Sequence, residues 1–205
     1  YISLNIPKQE VQEVINYAFL QREQGIINTE LLSEKTDFAL AKAFIIGCGP
    51  GDVGLLSIKA FNAIKILDVA LVDHLISQDV IDLLSKDCKI IDVGKEKGFH
   101  QKEQNEINEL LVKYLKTGKQ VGRLKSGDPY IFGRGAEEVL FLKENNFSNI
   151  DVIAGVSSSI GGATSSGIPL THRGASKGFS VVTAHIKGNS LNTDWVHLLK
   201  MKEHT

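Results

Sequence analysis

The stretch Arg123-Leu-Lys-Ser-Gly-Asp-Pro-Tyr-Ile-Phe-Gly-Arg-Gly135 places two arginines, a carboxylate and two aromatics around one chain break. Gly127, Asp128 and Pro129 interrupt a strand-like run, Gln120 to Leu124, at its carboxyl end, where open α/β sheets collect their ligands. The forked guanidinium of arginine suits bidentate recognition of carboxylates. Arg22, Arg123, Arg134 and Arg173 are the only arginines, and three of them lie in or beside Gly/Pro-rich turns. Pairing with nearby Asp or Glu accounts equally well for any one of them.

Other residues able to do chemistry also stand at expected strand ends. Asp73 follows Val69–Val72, where a carboxylate can accept a proton or stabilise a developing cation; it can also cap the next helix, in competition with Ser77. Lys95 follows Gly94 at the end of a third strand. Gly47-Cys48-Gly49-Pro50-Gly51-Asp52 looks at first like a dinucleotide fingerprint, but Pro50 removes a backbone donor that a pyrophosphate would need. A turn that packs against a flat, neutral adenosyl group fits better than NAD or FAD. Gly127-Asp128-Pro129 and Ser157-Ser158-Ser159 supply carbonyls and hydroxyls suited to a ribose and a methionine zwitterion; a plain turn and a helix cap are the simpler readings. His172-Arg173 either binds an anion or caps a turn.

The elements that must position these groups follow a βα alternation from Ala43 onward. Strands are expected at Ala43–Ile46, Val69–Val72, Lys89–Val93, Gln120–Lys125, Ile150–Ile153 and Phe179–Thr183. Helices are expected over Leu55–Leu67, Gln78–Leu84, Glu103–Leu115 and Ala136–Glu144. This order implies a mainly parallel sheet covered on both faces. Residues 1–41 read as two amphipathic helices forming an extension or linker, with Gly25 as a C-cap. Residues 42–153 form the first α/β domain, and residues 154–205 begin a second, incomplete one.

Formal net charge is −1, which argues against nucleic-acid binding by bulk electrostatics. No apolar run reaches membrane-spanning length. Cys48 and Cys88 are the only cysteines and show no pairing or ligand spacing, so a reducing cytoplasm is the simplest location and no metal site is expected. The chain opens at Tyr1, its one methionine is Met201, and it stops just after a helical-looking segment. It therefore reads as a fragment.

Together the motifs resemble the tetrapyrrole methylase family, in the branch acting on uroporphyrinogen III. The resembling blocks are GCGPGD at 47–52, VDHLIS at 72–77, DVGK at 92–95, EIN at 106–108, RLKSGDPYIFGRG at 123–135, AGVSSS at 154–159 and GIPLTHRG at 167–174. The resemblance implies two α/β domains with S-adenosyl-L-methionine (SAM) between them. Cofactor contacts would come from Pro50, Ser126, Gly127, Asp128, Ile131, Ser157 and Ser158. Asp73 falls on the family's proton acceptor and Lys95 on its proton donor. The implied reaction methylates C2 and C7 of uroporphyrinogen III, through precorrin-1, to precorrin-2 for sirohaem or cobalamin. The polyanionic tetrapyrrole substrate calls for local cations, for which Lys95, Lys97, His100, Arg134, His172 and Arg173 are the candidates. A homodimer is implied as well. A methylase of a later precorrin and a non-catalytic SAM- or tetrapyrrole-binding fragment are the alternatives.

The chain departs from the family pattern in four places. Ser126 replaces the first glycine of GGDP, His74 replaces an arginine, and Ala154 replaces a proline. The family's later strand with a Met-Gly turn is not reached by residue 205.

Overall fold

The computed structural model describes residues 41–94, 104–183 and 200. Five strands form one parallel sheet: β1 (Lys42–Gly47), β2 (Val69–Val72), β3 (Lys89–Asp92), β4 (Gln120–Lys125) and β5 (Ile150–Ile153). Their order across the sheet is β3-β2-β4-β1-β5. The helices are α1 (Ile58–Ile64), α2 (Gln78–Ile81), α3 (Gln104–Leu115), α4 (Gly135–Glu144) and α5 (Ser158–Ser165).

Strands buried on both faces read as continuous apolar runs, and their alternating residues divide between two cores. Phe44, Ile46, Ala70, Val72 and Leu124 meet Ala60, Ala63, Ile64 and Val80 of α1 and α2. Ala43, Ile45, Val69, Leu71 and Val121 meet Ile107, Leu111, Leu115 and Leu142 of α3 and α4. The α3 and α4 stripes follow helical spacing: Ile107, Leu111 and Leu115 in one, Gly135, Glu138 and Leu142 in the other. Glu138 is thus a carboxylate on a core-facing stripe.

The chain leaves β1 toward β2 over one face, through α1. It leaves β4 in the opposite direction, toward β5, over the other face, through α4. The topological switch point therefore lies between β1 and β4, and a ligand crevice belongs outside their carboxyl ends. The turns after these two strands meet there. Gly49 and Gly127 exchange backbone hydrogen bonds of 3.3 and 2.8 Å.

Several expected boundaries move. A 3₁₀ turn, Val53–Leu55, takes the start of the segment expected as a helix over Leu55–Leu67, because Asp52 caps it by accepting from the Gly54 N–H at 2.7 Å. The Ser57 side chain then caps α1 separately. α2 ends at Ile81 rather than Leu84, and β3 at Asp92 rather than Val93. The strand expected at Phe179–Thr183 does not form among the described residues; no described strand runs beside it, and Phe179, Val181 and Val182 are exposed. α5 follows Ser157, in line with the helix-cap reading of Ser157-Ser158-Ser159. The helices expected within residues 1–40 lie outside the described residues.

Gly47 and Gly155 let the ends of β1 and β5 touch the turn after β4. A methyl group on Gly155 would fall on the Gly127 carbonyl oxygen and within 2.7 Å of the Gly47 carbonyl carbon. Gly155→Ala is expected to cost about 2 kcal/mol through overpacking, read as a lower urea midpoint; an unchanged midpoint contradicts this close approach.

Candidate active site

Three turns build the floor of the crevice. The turn after β4 is pinned by Asp128, whose Oδ1 accepts from Tyr130 N–H at 2.9 Å and whose Oδ2 accepts from Gly155 N–H at 3.1 Å. The Asp128 carboxylate is thus spent on backbone, joining the 126–128 turn to the 154–159 turn. Ser57 Oγ donates to the Ala154 carbonyl at 3.3 Å, and Ser77 Oγ to the Gly51 carbonyl at 2.7 Å. Ser157 caps α5, its Oγ accepting from Ser159 N–H at 3.3 Å. Pro50 lies over Gly161, where an added Cβ would come within 3.0 Å of its ring. Pro50, Ser126, Gly127, Asp128, Ser157 and Ser158 therefore belong to one set of interlaced turns. Ile131 stands at the exposed tip Tyr130-Ile131-Phe132, where Phe132 has φ 53°.

The charged half of the site lies beside these turns. Arg123 and Lys125 alternate on one face of β4 and are both buried. The Arg123 guanidinium is used on every side. Its Nε donates to Glu138 Oε1 at 3.2 Å. One terminal nitrogen donates to the Leu124 and Leu71 carbonyls at 3.0 and 3.4 Å. The other donates to Asp73 Oδ2 at 3.3 Å. Lys125 Nζ and Gln104 Nε2 also donate to Glu138 Oε1, each at 3.1 Å.

Asp73 thus caps no helix through its side chain; it sits between the Arg123 fork and His74, whose Nδ1 lies 2.8 Å from Asp73 Oδ1. Partial burial would raise its carboxyl pKa. The Arg123 charge and the hydrogen bonds from His74 and Arg123 outweigh that and hold it below the usual range. Lys125 is pushed down, first by burial and then by the like charge of Arg123, against the pull of Glu138. Burial pushes the Cys48 thiol up to about 12, so it stays protonated at the end of β1. Gly94 completes the arrangement: a Cβ there would lie 2.5 Å from the His74 nitrogen.

The remaining expected residues are more dispersed. Arg134 is exposed at φ 55° and forks onto Glu137, at 2.9 Å from Nε and 2.6 Å from a terminal nitrogen. His172 and Arg173 lie in an exposed turn closed by a His172–Ser176 bridge. Lys95, Lys97 and His100 lie outside the described residues. Lys125 and Glu138 are missed when residues are read singly; the signal for them is a pair of cations at i, i+2 in an inner strand, which requires a buried counter-charge.

Asp73 makes stability depend on pH in a defined direction. Its carboxyl titrates lower in the fold than the value near 4 of an unfolded chain. It therefore contributes stability above about pH 4, lost as pH falls through its native value. Asp73→Asn is expected to narrow the difference in unfolding free energy between neutral pH and about pH 3; an unchanged difference contradicts the ion pair.

Comparison with known proteins places this geometry. The chain is 43% identical over 182 residues to a siroheme synthase of Photobacterium profundum, covering 88% of this chain and 38% of that protein. It is 48% identical over 144 residues to a uroporphyrinogen-III C-methyltransferase of Methanocaldococcus jannaschii, covering 70% of this chain and 59% of that protein. The fold is similar to the crystal structure of uroporphyrin-III C-methyltransferase from Thermus thermophilus complexed with S-adenyl homocysteine: TM-score 0.55, 38% identity, 67% of this chain and 53% of that one. The chain thus spans less than two thirds of each of these proteins. The family profile of Tetrapyrrole (Corrin/Porphyrin) Methylases matches residues 42–201. With a parallel sheet, interlaced turns at its switch point and matches of this extent, the chain belongs to the tetrapyrrole methylase family.

Proposed function

We propose that this chain belongs to a SAM-dependent methyltransferase that methylates uroporphyrinogen III at C2 and C7, giving precorrin-2 for sirohaem or cobalamin synthesis. The observation that carries this reading is Asp73: an ionised carboxylate fixed by a buried arginine beside the turns at the switch point. Relatives named uroporphyrinogen-III C-methyltransferase and siroheme synthase support the substrate class.

The turns fit the cofactor. Gly47 and Gly155 bring backbone together where side chains would not fit, Gly127 turns the chain at φ 68°, and the Asp128 carboxylate is occupied by N–H groups. What remains is a surface of backbone groups, Pro50 and serine hydroxyls, matched to a neutral adenosyl group and a zwitterion. Pro50, Ser126, Gly127, Asp128, Ile131, Ser157 and Ser158 would hold SAM, with Asp128 acting through the shape of its turn. When bound, SAM supplies an electrophilic methyl group on a sulfonium sulfur, so the protein's main task is alignment.

A pyrrole carbon becomes a better nucleophile as its ring nitrogen gives up electron density, and removal of the N–H proton assists. Asp73 accepts that proton or stabilises the positive charge that develops on the ring. Its lowered pKa keeps it ionised at neutral pH and favours the electrostatic part of this role. Lys95 is the proposed proton donor. His100, Arg134, His172 and Arg173 are the proposed contacts to the substrate carboxylates; Arg134 would exchange Glu137 for the substrate. Residues 42–153 form the first domain and residues 154–205 begin the second. We read the protein as a cytoplasmic homodimer.

The test is an anaerobic assay of the full-length protein with labelled SAM and uroporphyrinogen III. Transfer of two methyl groups per substrate is expected, with kcat at least about 10²-fold lower in Asp73→Asn and SAM affinity retained. SAM binding without transfer moves the substrate to a later precorrin; absence of SAM binding overturns the cofactor assignment. Asp128→Ala is expected to weaken SAM binding about tenfold by releasing the turn, read by calorimetry; parent affinity contradicts the role given to that turn.

A further inference from the structure

Glu138 is the one fully buried carboxylate among the described residues, and the steps above do not use it. It lies one helix away from the crevice, on α4, with its side chain completely enclosed. All of its hydrogen bonding runs through one oxygen. Oε1 takes Arg123, Lys125 and Gln104, while Oε2 has no hydrogen-bond partner among the described residues. Gln104 Nε2 also reaches Asn108 Oδ1 at 3.0 Å, so α3 is tied into the same point. An ion pair serving only to fix a helix to a sheet would be expected to use both oxygens on a bidentate arginine. Here the carboxylate is turned to one side, toward β4.

The geometry of arginine gives this arrangement its consequence. The guanidinium is planar and rigid, so fixing two of its nitrogens fixes the direction of the third. Glu138 holds Nε, the Leu71 and Leu124 carbonyls hold one terminal nitrogen, and the other then points at Asp73. The charge count is also complete: Asp73 and Glu138 against Arg123 and Lys125. From this we propose that Glu138 is a positioning residue for the Asp73 carboxylate, acting through Arg123. It orients the fork and supplies the negative charge that stops Arg123 and Lys125 from acting together on Asp73. The inference rests on the methyltransferase reading only for what Asp73 then does to substrate.

The groups that face Asp73 set the signs. His74 and Arg123 touch it directly, while Lys125 on β4 and Glu138 on α4, paired with each other beyond Arg123, act on it at longer range. Removing the Glu138 charge leaves one cation uncompensated, which favours the ionised form of Asp73 further. Removing the Lys125 charge does the reverse.

A carbon-13 NMR titration of the Asp73 carboxyl in the full-length protein, assigned with Asp73→Asn, tests this without substrate. Asp73 is expected to titrate at lower pH in Glu138→Gln and at higher pH in Lys125→Met. Glu138→Gln/Lys125→Met is expected to return toward the parent. If Glu138→Gln fails to fold, comparing Lys125→Met with the double variant makes the same measurement without a surplus buried cation. In turnover, Glu138→Gln is expected to lower kcat on the order of tenfold and to move the acidic limb of its pH profile downward, with KM and SAM affinity near the parent. A purely structural Glu138 would lower the thermal transition without moving either titration. Unmoved Asp73 titration on removing the Glu138 charge in both backgrounds overturns the proposal. If the parent binds SAM but does not methylate uroporphyrinogen III, the functional reading fails, while the titration still decides the role of Glu138.

Discussion

A guanidinium buried in the middle of a parallel sheet must have every donor satisfied, and the rest of the site is arranged around that requirement. Arg123 occupies a position where Val121 on the same strand face meets an apolar core. Burying its charge without partners would be prohibitive. Glu138, two strand-end carbonyls and Asp73 supply those partners. Each partner comes from a different place: α4, the ends of β2 and β4, and the loop after β2. The ion pair therefore ties a helix, two neighbouring strands and a loop to one plane, and the only member reaching solvent is Asp73.

The other half of the site is built by the opposite means. After β1 and β5 the chain uses absence of side chains, at Gly47 and Gly155, to bring turns into contact, and Gly127 supplies the positive φ of the turn after β4. Asp128 closes that contact with two charge-assisted hydrogen bonds to backbone. One side of the crevice is thus flat and largely neutral, the other carries fixed charge. This division is what the two proposed ligands would call for: a compact zwitterionic donor and a polyanionic acceptor whose ring must be activated.

Much of this was legible in the sequence, for identifiable reasons. The inner strand Val69–Val72 was readable because a parallel strand buried on both faces is a continuous apolar run; the edge strand Ile150–Ile153 also has the expected bounds, with Asp151 half-buried within it. The turns at 47–52 and 126–128 were readable from Gly and Pro. That these turns touch was not, since strand order arises from the crossovers and no local pattern encodes it. Arg123 and Arg134 illustrate the limit of residue types alone: both looked fit to hold a ligand carboxylate, yet both are occupied by protein carboxylates, one buried and one exposed. Glu138 was concealed by its position in a helix rich in charge, where only its place on the Gly135/Leu142 stripe separates it from its exposed neighbour Glu137. The segment Phe179–Thr183 shows the converse. Its β-propensity is real, but no described strand pairs with it.

The shape of the Arg123 fork, and not its charge alone, makes Asp73 competent for the proposed reaction. Arg123→Lys separates the two, because lysine keeps the charge and loses the rigid plane. The most direct measurement is single-turnover methyl transfer from labelled SAM to uroporphyrinogen III by this variant, at saturating concentrations of both. The variant is expected to fold, to bind SAM normally and to transfer methyl on the order of a hundredfold more slowly than the parent. A folded Arg123→Lys protein with the parent rate would contradict this role of the fork.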